Sequence, residues 1–474
     1  MMNSTSRWIG KRLLHSLAPT TSTIAQSVFA KHGRSRNVWF LFGGAAAATV
    51  LATSQFLVQG EEIRARFHAG DDTAPMIQER RKLLQETIHE TIHQILSFGR
   101  VSLPHYIRQS QPQCRIIRLS KEVLSSEKEL LQVVHAILYK GARVDVESLV
   151  HLCHAATDVF RTEDTLLDKT TNIDMVSVVG DLHGCLSSLK STLEMTGLLH
   201  DSDSATTTTP TSTPSNRCVV FAGDFVDRGE ASLEVWTVLL LLKVAFPQQV
   251  VLLRGNHEDS KVAEVYGFAE EVQTKYQLSS HEHSDHNRSM PHVWKTLSDT
   301  FAALPIAVVT DTAFIVHGGL PSRHFKLDQL RQVTIQDRCR YNTLVRPTTS
   351  VDTLMERLLW SDPMPQPGIR RNRWRGGRGM EFGPDVTHDF LTREGLHYLV
   401  RAHEPVDAGF ETVHCSNPHP TNDAVDSDET TTTTQLVTVF SAANYPNGTG
   451  TNHGAILQLY RDGTHKAIQF SYQT

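Results

Sequence analysis

Five short blocks of this 474-residue chain carry side chains of the types that bind hard metal ions. Asp181 and His183 lie in Gly180-Asp181-Leu182-His183-Gly184, and Asp224 in Gly223-Asp224-Phe225-Val226-Asp227-Arg228-Gly229. Asn256 lies in Arg254-Gly255-Asn256-His257-Glu258, His317 in His317-Gly318-Gly319 and His403 in Ala402-His403-Glu404. Each block follows a short apolar, β-rich run, at residues 175–179, 218–221, 250–253, 313–316 and 398–401. Carboxylates, an amide and imidazoles at the carboxyl ends of successive strands suit a two-metal hydrolytic site, because ligands bind in the crevice outside those ends. The donors are oxygen and nitrogen with no thiolate. That points to two divalent or trivalent ions, Mn, Fe or Zn, at open catalytic positions rather than a closed structural zinc.

In this order the blocks resemble the phosphoprotein phosphatase family of metal-dependent Ser/Thr phosphatases, over residues 115–474. The stretches 360–366 and 382–387 are most similar to its EF-hand-containing, retinal-degeneration-type branch, and Ser441-Ala442-Ala443-Asn444-Tyr445 supports the family. The resemblance implies a metallophosphoesterase that hydrolyses phosphoserine and phosphothreonine by in-line attack of a hydroxide held between two metals. It also implies that Asp181, His183 and Asp224 bind one ion, with Asp224 bridging to a second completed by Asn256, His317 and His403. His257 corresponds to the proton donor, Asp227 to the acid that holds it, Arg228 to a phosphate-clamping arginine and Tyr445 to a tyrosine lining the phosphate site. A guanidinium suits a bidentate grip on phosphate oxygens, and a positioned imidazole suits protonation of a leaving alkoxide.

The second clamping arginine is ambiguous. Arg375 fits the family spacing before Phe382 if one residue is inserted, and Arg378 only if two are deleted; Arg375 is preferred. The run 370–378, with five arginines, reads either as a basic docking patch or as a solvated loop. A dinucleoside-tetraphosphate hydrolase is the competing enzyme, but such relatives tend to lack the acid found here at Asp227. A non-catalytic anchored scaffold would predict lost ligands, and none is lost. No Asp-x-Asp-x-Asp-Gly calcium loop occurs, so EF-hand control is unsupported.

A net charge of −5 gives no reason to expect nucleic acid as a partner; phosphoprotein substrates are the expected ones. Six cysteines without any Cys-x-x-Cys imply no disulfide framework. The amino terminus is different. Its first acid is Glu61, after Arg7, Lys11, Arg12, Lys31, Arg34 and Arg36, a composition typical of a mitochondrial transit peptide. Residues 38–58 then carry no charge and, at about 1.5 Å per residue, reach about 31 Å, enough for a hydrocarbon core. The expected organisation is a basic targeting segment at 1–36, a transmembrane anchor at 37–58, a linker and helical segment at 59–114 and the catalytic domain at 115–474. The charge bias sends the enzyme across the membrane, into the intermembrane space if the membrane is the mitochondrial inner one; a secretory-pathway membrane is the alternative.

The elements that must position these residues are legible in the periodicity. Strand–helix alternation through 175–253 predicts parallel βαβ units, and strands are expected at 306–310, 313–316, 398–402, 435–441, 454–460 and 466–472. Helices are predicted over 75–98, 119–136, 144–160 and 186–199. Thr/Ser/Pro tracts at 201–216 and 416–434, and the His-rich run 281–286, read as polar surface loops. The fold class is therefore α/β: a four-layer sandwich of two mixed β-sheets flanked by helices, with an N-terminal membrane-anchor segment.

Overall fold

The computed structural model describes residues 114–171, 173–199, 216–278, 289–341, 347–415, 434–446 and 448–472. The targeting segment, the anchor, the linker helix at 75–98, the two Thr-rich tracts and the His-rich run lie outside the described residues, apart from tract ends. No helix among the described residues is long and apolar enough to cross a membrane. Gln113–Thr474 forms one compact unit.

Sixteen strands build four sheets among the described residues. In chain order they are β1 (Ile116–Ile117), β2 (Arg143–Val144), β3 (Leu166–Asp168), β4 (Met175–Val179), β5 (Arg217–Phe221), β6 (Val250–Leu252), β7 (Ala307–Val309) and β8 (Ala313–Val316). There follow β9 (Asp362–Pro363), β10 (Ile369–Arg371), β11 (Met380–Phe382), β12 (Tyr398–Arg401), β13 (Phe410–Cys415), β14 (Gln435–Val439), β15 (Gly454–Tyr460) and β16 (His465–Phe470). One large sheet runs β16-β15-β4-β5-β6 and the other β13-β14-β12-β8-β7-β3; both mix parallel and antiparallel pairs. β1-β2 and β10-β11-β9 form two small sheets.

Side-chain alternation sorts the residues into layers. Val176, Val178, Cys218, Val220 and Val251 of the first sheet meet Val308, Ile315, Val400 and Val437 of the second in one apolar core. The opposite faces, Val219, Phe221 and Leu252 on one side and Phe314, Val316 and Leu399 on the other, pack under helices. A strand buried on both faces has no polar face to alternate with, which is why these runs read as continuously apolar. Helix Ser232–Ala245 is buried almost all round, between the first sheet and helices Glu127–Lys140 and Val146–Arg161, and accordingly lacks a polar stripe.

Three helix expectations need correction at their ends, each for a local reason. The stretch 119–136 divides into Lys121–Leu124 and Glu127–Lys140, because Ser125 closes the first and the Ser126 side chain caps the second. Helix Val146–Arg161 starts later than expected because Val144 joins β2 and Asp145 accepts the Ser148 N–H as the cap. Helix Leu186–Thr196 stops at Gly197, whose φ of 73° ends it. Strands β3 and β9–β11 are too short to show a period of two, and β13 is an exposed edge strand with Glu411 and Thr412 outward.

Candidate metal centre and phosphate site

Strand register levels the five blocks at one edge. In the first sheet Val179 pairs with Phe221 and Phe221 with Leu252, so the chain leaves β4, β5 and β6 side by side into Asp181, Asp224 and Asn256. In the second, Ile315 pairs with Val400 and Arg401 with Thr438, so β8, β12 and β14 end together before His317, His403 and Ser441. A parallel bridge between Asp181 and Phe440 joins the two edges. The Ser441 hydroxyl reinforces it, accepting the Gly180 N–H at 2.9 Å and donating to the Ala455 carbonyl at 2.6 Å. Gly255 lies so close to the Asp224 backbone and carboxylate that a Cβ there would collide with both.

The convergent atoms form a cradle suited to a cation. His183 Nδ1 is 3.0 Å from the Val226 carbonyl and His317 Nδ1 is 2.9 Å from the Ala222 carbonyl. A carbonyl only accepts, so both Nδ1 atoms carry the proton and each ring turns its Nε2 inward. Burial lowers His317, but the Asp224 charge and hydrogen bond outweigh it and raise this imidazole above its usual value, so positive charge is favoured at its inward nitrogen. His183 Nε2 faces Asp181 and Asp224 carboxylates, each at 3.7 Å. His317 Nε2 lies 2.8 Å from Asn256 Oδ1, 3.1 Å from His403 Nδ1 and 3.3 Å from Asp224 Oδ1. His403 Nε2 is buried with no hydrogen-bond partner, and the His403 N–H donates to Asp181 Oδ1 at 2.9 Å. Burial and the neighbouring Asp224 charge push Asp181 up to about 7. Burial acts the same way on Asp224, but His317 and His257 outweigh it and hold this carboxyl low. Burial lowers His183 to about 3, keeping its nitrogen free of a second proton. Two buried acids and three imidazoles, with lone pairs facing each other, fit a dinuclear centre. The donor sets Asp224–His317–His403 and His183–Asp224–His257 each fall within 4.8 Å. His257 in the second set has its other nitrogen bound to an acid, and Asp181 completes that side.

Backbone strain concentrates here. Of seven non-glycine residues with positive φ among the described residues, His183, Asp224, Asp227, Arg228, His403 and Asn444 belong to the site blocks. Such conformations cost about 1–3 kcal/mol each and persist only where the surroundings impose them.

Beside these candidate ligands, His257 Nδ1 lies 2.6 Å from Asp227 Oδ2, and Asp227 Oδ1 accepts the Phe268 N–H at 3.0 Å. The His257 N–H donates to Asp224 Oδ1 at 2.9 Å, fixing the imidazole relative to the centre. Burial raises Asp227 well above the carboxylate range and lowers His257 to about 4, so the pair holds its proton between two groups of altered affinity. The Tyr266 ring lies 5.1 Å from His257 and beneath the Arg228 guanidinium, 4.1 Å from its centroid. Arg228 Nε is buried and unpartnered. The Tyr445 ring stacks on His183 at 5.2 Å, and burial pushes its hydroxyl up to about 12.

Arg375 and Arg378 separate. Arg375 is held by Asp362 through Nε at 2.9 Å and Nη2 at 3.3 Å, and its charge reaches His257, His403 and Tyr445. Arg378 instead lies over the Trp360 ring at 5.2 Å and acts on Glu356. Three supporting residues were not singled out from the sequence. Glu258 accepts the N–H groups of Asp224 at 2.7 Å, Gly255 at 2.9 Å and Phe225 at 2.8 Å, shaping both ligand loops. Asp362 also takes Arg401 Nη2 at 2.9 Å and Asn372 Nδ2 at 2.6 Å. Tyr266 lies in an amphipathic stretch with nothing in its spacing to mark it. Glu258 and Asp362 had a signal: Glu258 adjoins His257, and Asp362 lies in the 360–366 stretch that carries part of the family resemblance.

A buried acid–imidazole centre with a paired histidine and two flanking arginines defines a metal-dependent phosphoesterase. Residues 176–407 match the model of the calcineurin-like phosphoesterase family. Serine/threonine-protein phosphatase 7 of Arabidopsis thaliana is 32% identical over 320 residues, covering 62% of this chain and 71% of that protein. Serine/threonine-protein phosphatase rdgC of Drosophila melanogaster is 35% identical over 300 residues, covering 61% of this chain but 38% of that protein. A solved Saccharomyces cerevisiae protein serine/threonine phosphatase, described as similar to human phosphatase PP5, superposes with a TM-score of 0.53 at 22% identity, over 73% of this chain and 96% of that one. This last match establishes the fold. The chain belongs to the calcineurin-like phosphoesterase family, among its serine/threonine-protein phosphatase members. It spans 38% of rdgC and 60% of phosphatase T of Schizosaccharomyces pombe, so it matches only part of those relatives.

Proposed function

We propose that this protein is a metal-dependent Ser/Thr protein phosphatase acting on phosphoserine and phosphothreonine in proteins. The observation that carries the reading is the 2.6 Å His257–Asp227 contact beside the metal ligands. An alkoxide leaving group needs a proton, whereas the diphosphate or nucleotide released by a dinucleoside-tetraphosphate hydrolase scarcely does. Asp181, His183 and Asp224 would hold one ion, and Asp224, Asn256, His317 and His403 the other. Mn, Fe and Zn all suit these donors. Bound there, the ions supply positive charge for the phosphate oxygens and lower the pKa of a bound water.

The chain's own residues do the rest. Arg228, braced on Tyr266, and Arg375, braced on Asp362, grip the phosphate from two sides. Tyr445 closes the site over His183. The negative charge of a bound phosphoester favours protonated His257, and Asp227 keeps that imidazolium oriented with Nε2 toward the leaving oxygen. On side-by-side assay with Mn²⁺, phosphoserine peptides should release phosphate at least about tenfold faster than diadenosine tetraphosphate is cleaved. The reverse preference would move the protein to the dinucleotide hydrolases.

The amino terminus supports a membrane-held enzyme. Its acid-free basic start and the uncharged residues 38–58 suit a mitochondrial inner-membrane anchor with the phosphatase in the intermembrane space. The protein should resist carbonate extraction and become protease-sensitive once the outer membrane is ruptured. A carbonate-soluble protein would rule the anchor out.

A further inference from the structure

The arginine-rich loop joining β10 to β11 does more than carry Arg375. Its three arginines and the two of β10 just before it have different fates. Arg370 is bound to Glu381 at 2.8 Å, Arg375 to Asp362, and Arg378 lies over Trp360. Arg371 is exposed, with Glu356 near enough to feel its charge. Arg373 is exposed and makes no side-chain hydrogen bond or ion pair among the described residues. Beside it stands Trp374, 59% exposed, one of four large apolar side chains so exposed among the described residues.

This exposure does not come from a loose loop. Asn372 is buried; its amide nitrogen donates to Asp362 Oδ2 at 2.6 Å, and its Oδ1 accepts the N–H groups of Trp374 at 3.1 Å and Arg375 at 3.3 Å. The same carboxylate that orients Arg375 therefore also fixes, through Asn372, the backbone N–H groups of Trp374 and Arg375. The fold thus places a cation with no ion pair among the described residues, and an exposed indole, immediately beside Arg375.

From this placement we infer that Arg373 and Trp374 form a specificity element that reads the residues flanking the phosphoserine or phosphothreonine and favours an acidic one. The inference rests on the phosphatase reading and names the substrate class within it. The reach is adequate. Successive residues of an extended chain advance about 3.3–3.6 Å, so a residue one to three positions from a phosphate held by Arg375 lies within about 11 Å of it. Arg373 stands two residues from Arg375 in a tight turn closed by the Gly376 N–H donating to the Arg373 carbonyl at 3.2 Å. Arg373 offers five N–H donors to a carboxylate or a second phosphate. Trp374 covers the apolar part of the same flanking residues and shields that pair from water. Arg373 is thus a binding residue for substrate flanks and has no part in the bond-breaking step.

The test compares the full-length Mn²⁺-supplemented protein with its Arg373→Glu, Arg373→Gln and Trp374→Ala variants. The probes are phosphopeptides with acidic, neutral or basic flanks, and p-nitrophenyl phosphate, which has none. The parent should prefer the acidic flank by about three- to tenfold in kcat/KM, chiefly through KM, and lose the preference at high salt. Arg373→Gln should abolish the preference and Arg373→Glu invert it toward basic flanks, while p-nitrophenyl phosphate turnover is retained. Trp374→Ala should raise KM for every peptide. Equal parent rates on all three peptides would overturn the inference and leave the phosphatase reading standing. Equal losses on peptide and p-nitrophenyl phosphate would mean that the loop only holds Arg375, which also overturns it. No hydrolysis of any probe by the parent would remove the phosphatase reading and this inference with it.

Discussion

Asp224→Asn should lose nearly all phosphatase activity, at least about 10³-fold or ~4 kcal/mol of transition-state stabilisation, and bind fewer metal ions than the parent. Among the described residues, Asp224 is the carboxylate with oxygens close to the inward nitrogens of both sides, 3.7 Å from His183 Nε2 and 3.3 Å from His317 Nε2. The substitution keeps side-chain shape and one acceptor oxygen, so the His257 N–H that donates to Oδ1 at 2.9 Å can stay satisfied. What it removes is charge. An amide is a poor bridge between two cations, and the three surrounding imidazoles lose the anion that draws cations among them. Circular dichroism should be unchanged, and metal analysis should fall below the parent's stoichiometry. Full occupancy with full activity in this variant would mean that Asp224 does not bridge.

His257→Gln should separate leaving-group chemistry from metal binding. The Nδ1 contact to Asp227 and the Nε2 atom 4.0 Å from Asp224 Oδ2 place this imidazole beside the metal ligands, with one nitrogen oriented by an acid. Loss of a general acid costs typically about 10²–10⁴-fold on a substrate that leaves as an alkoxide. On an aryl phosphate, whose leaving group is stable as an anion, the loss should be much smaller, with metal content retained. Asp227→Asn should act in the same direction with a smaller effect, because it removes the charge that steadies the imidazolium. Equal losses on both substrates would assign His257 to the metal centre instead, a role its inclusion with His183 and Asp224 also permits.

The convergence of the five candidate blocks was legible because chemistry and topology coincide in them: each apolar run ends one to four residues before a hard donor, and strand register then brings the donors to one edge. The central strands β4, β5, β6, β8 and β12 followed from the same runs, since strands buried on two faces are continuously apolar, whereas β3 and the edge strand β13 were not among the strands expected. The supporting residues were not legible. Asp362 stands far from Arg375 and Arg401 in one dimension, and only the pairing of β9 with β11 brings its carboxylate to both guanidinium groups. Glu258 adjoins His257, yet its role is to collect backbone N–H groups from the Asp224 loop, which no side-chain pattern records. The choice between Arg375 and Arg378 turned on a one-residue insertion among glycines. Geometry separates the two, because Asn372 turns the loop so that Arg375 meets Asp362 while Arg378 falls over Trp360. Short strands such as β9 to β11 have too few residues for any period.

The most direct test of the two-metal phosphatase account is reconstitution. The full-length protein is stripped with chelator, titrated with Mn²⁺, and assayed for phosphate release from a phosphoserine peptide. Activity should be absent in the stripped protein and rise to a plateau that breaks near two equivalents per chain. Phosphate release that survives complete stripping, or a plateau reached at one equivalent, would contradict it.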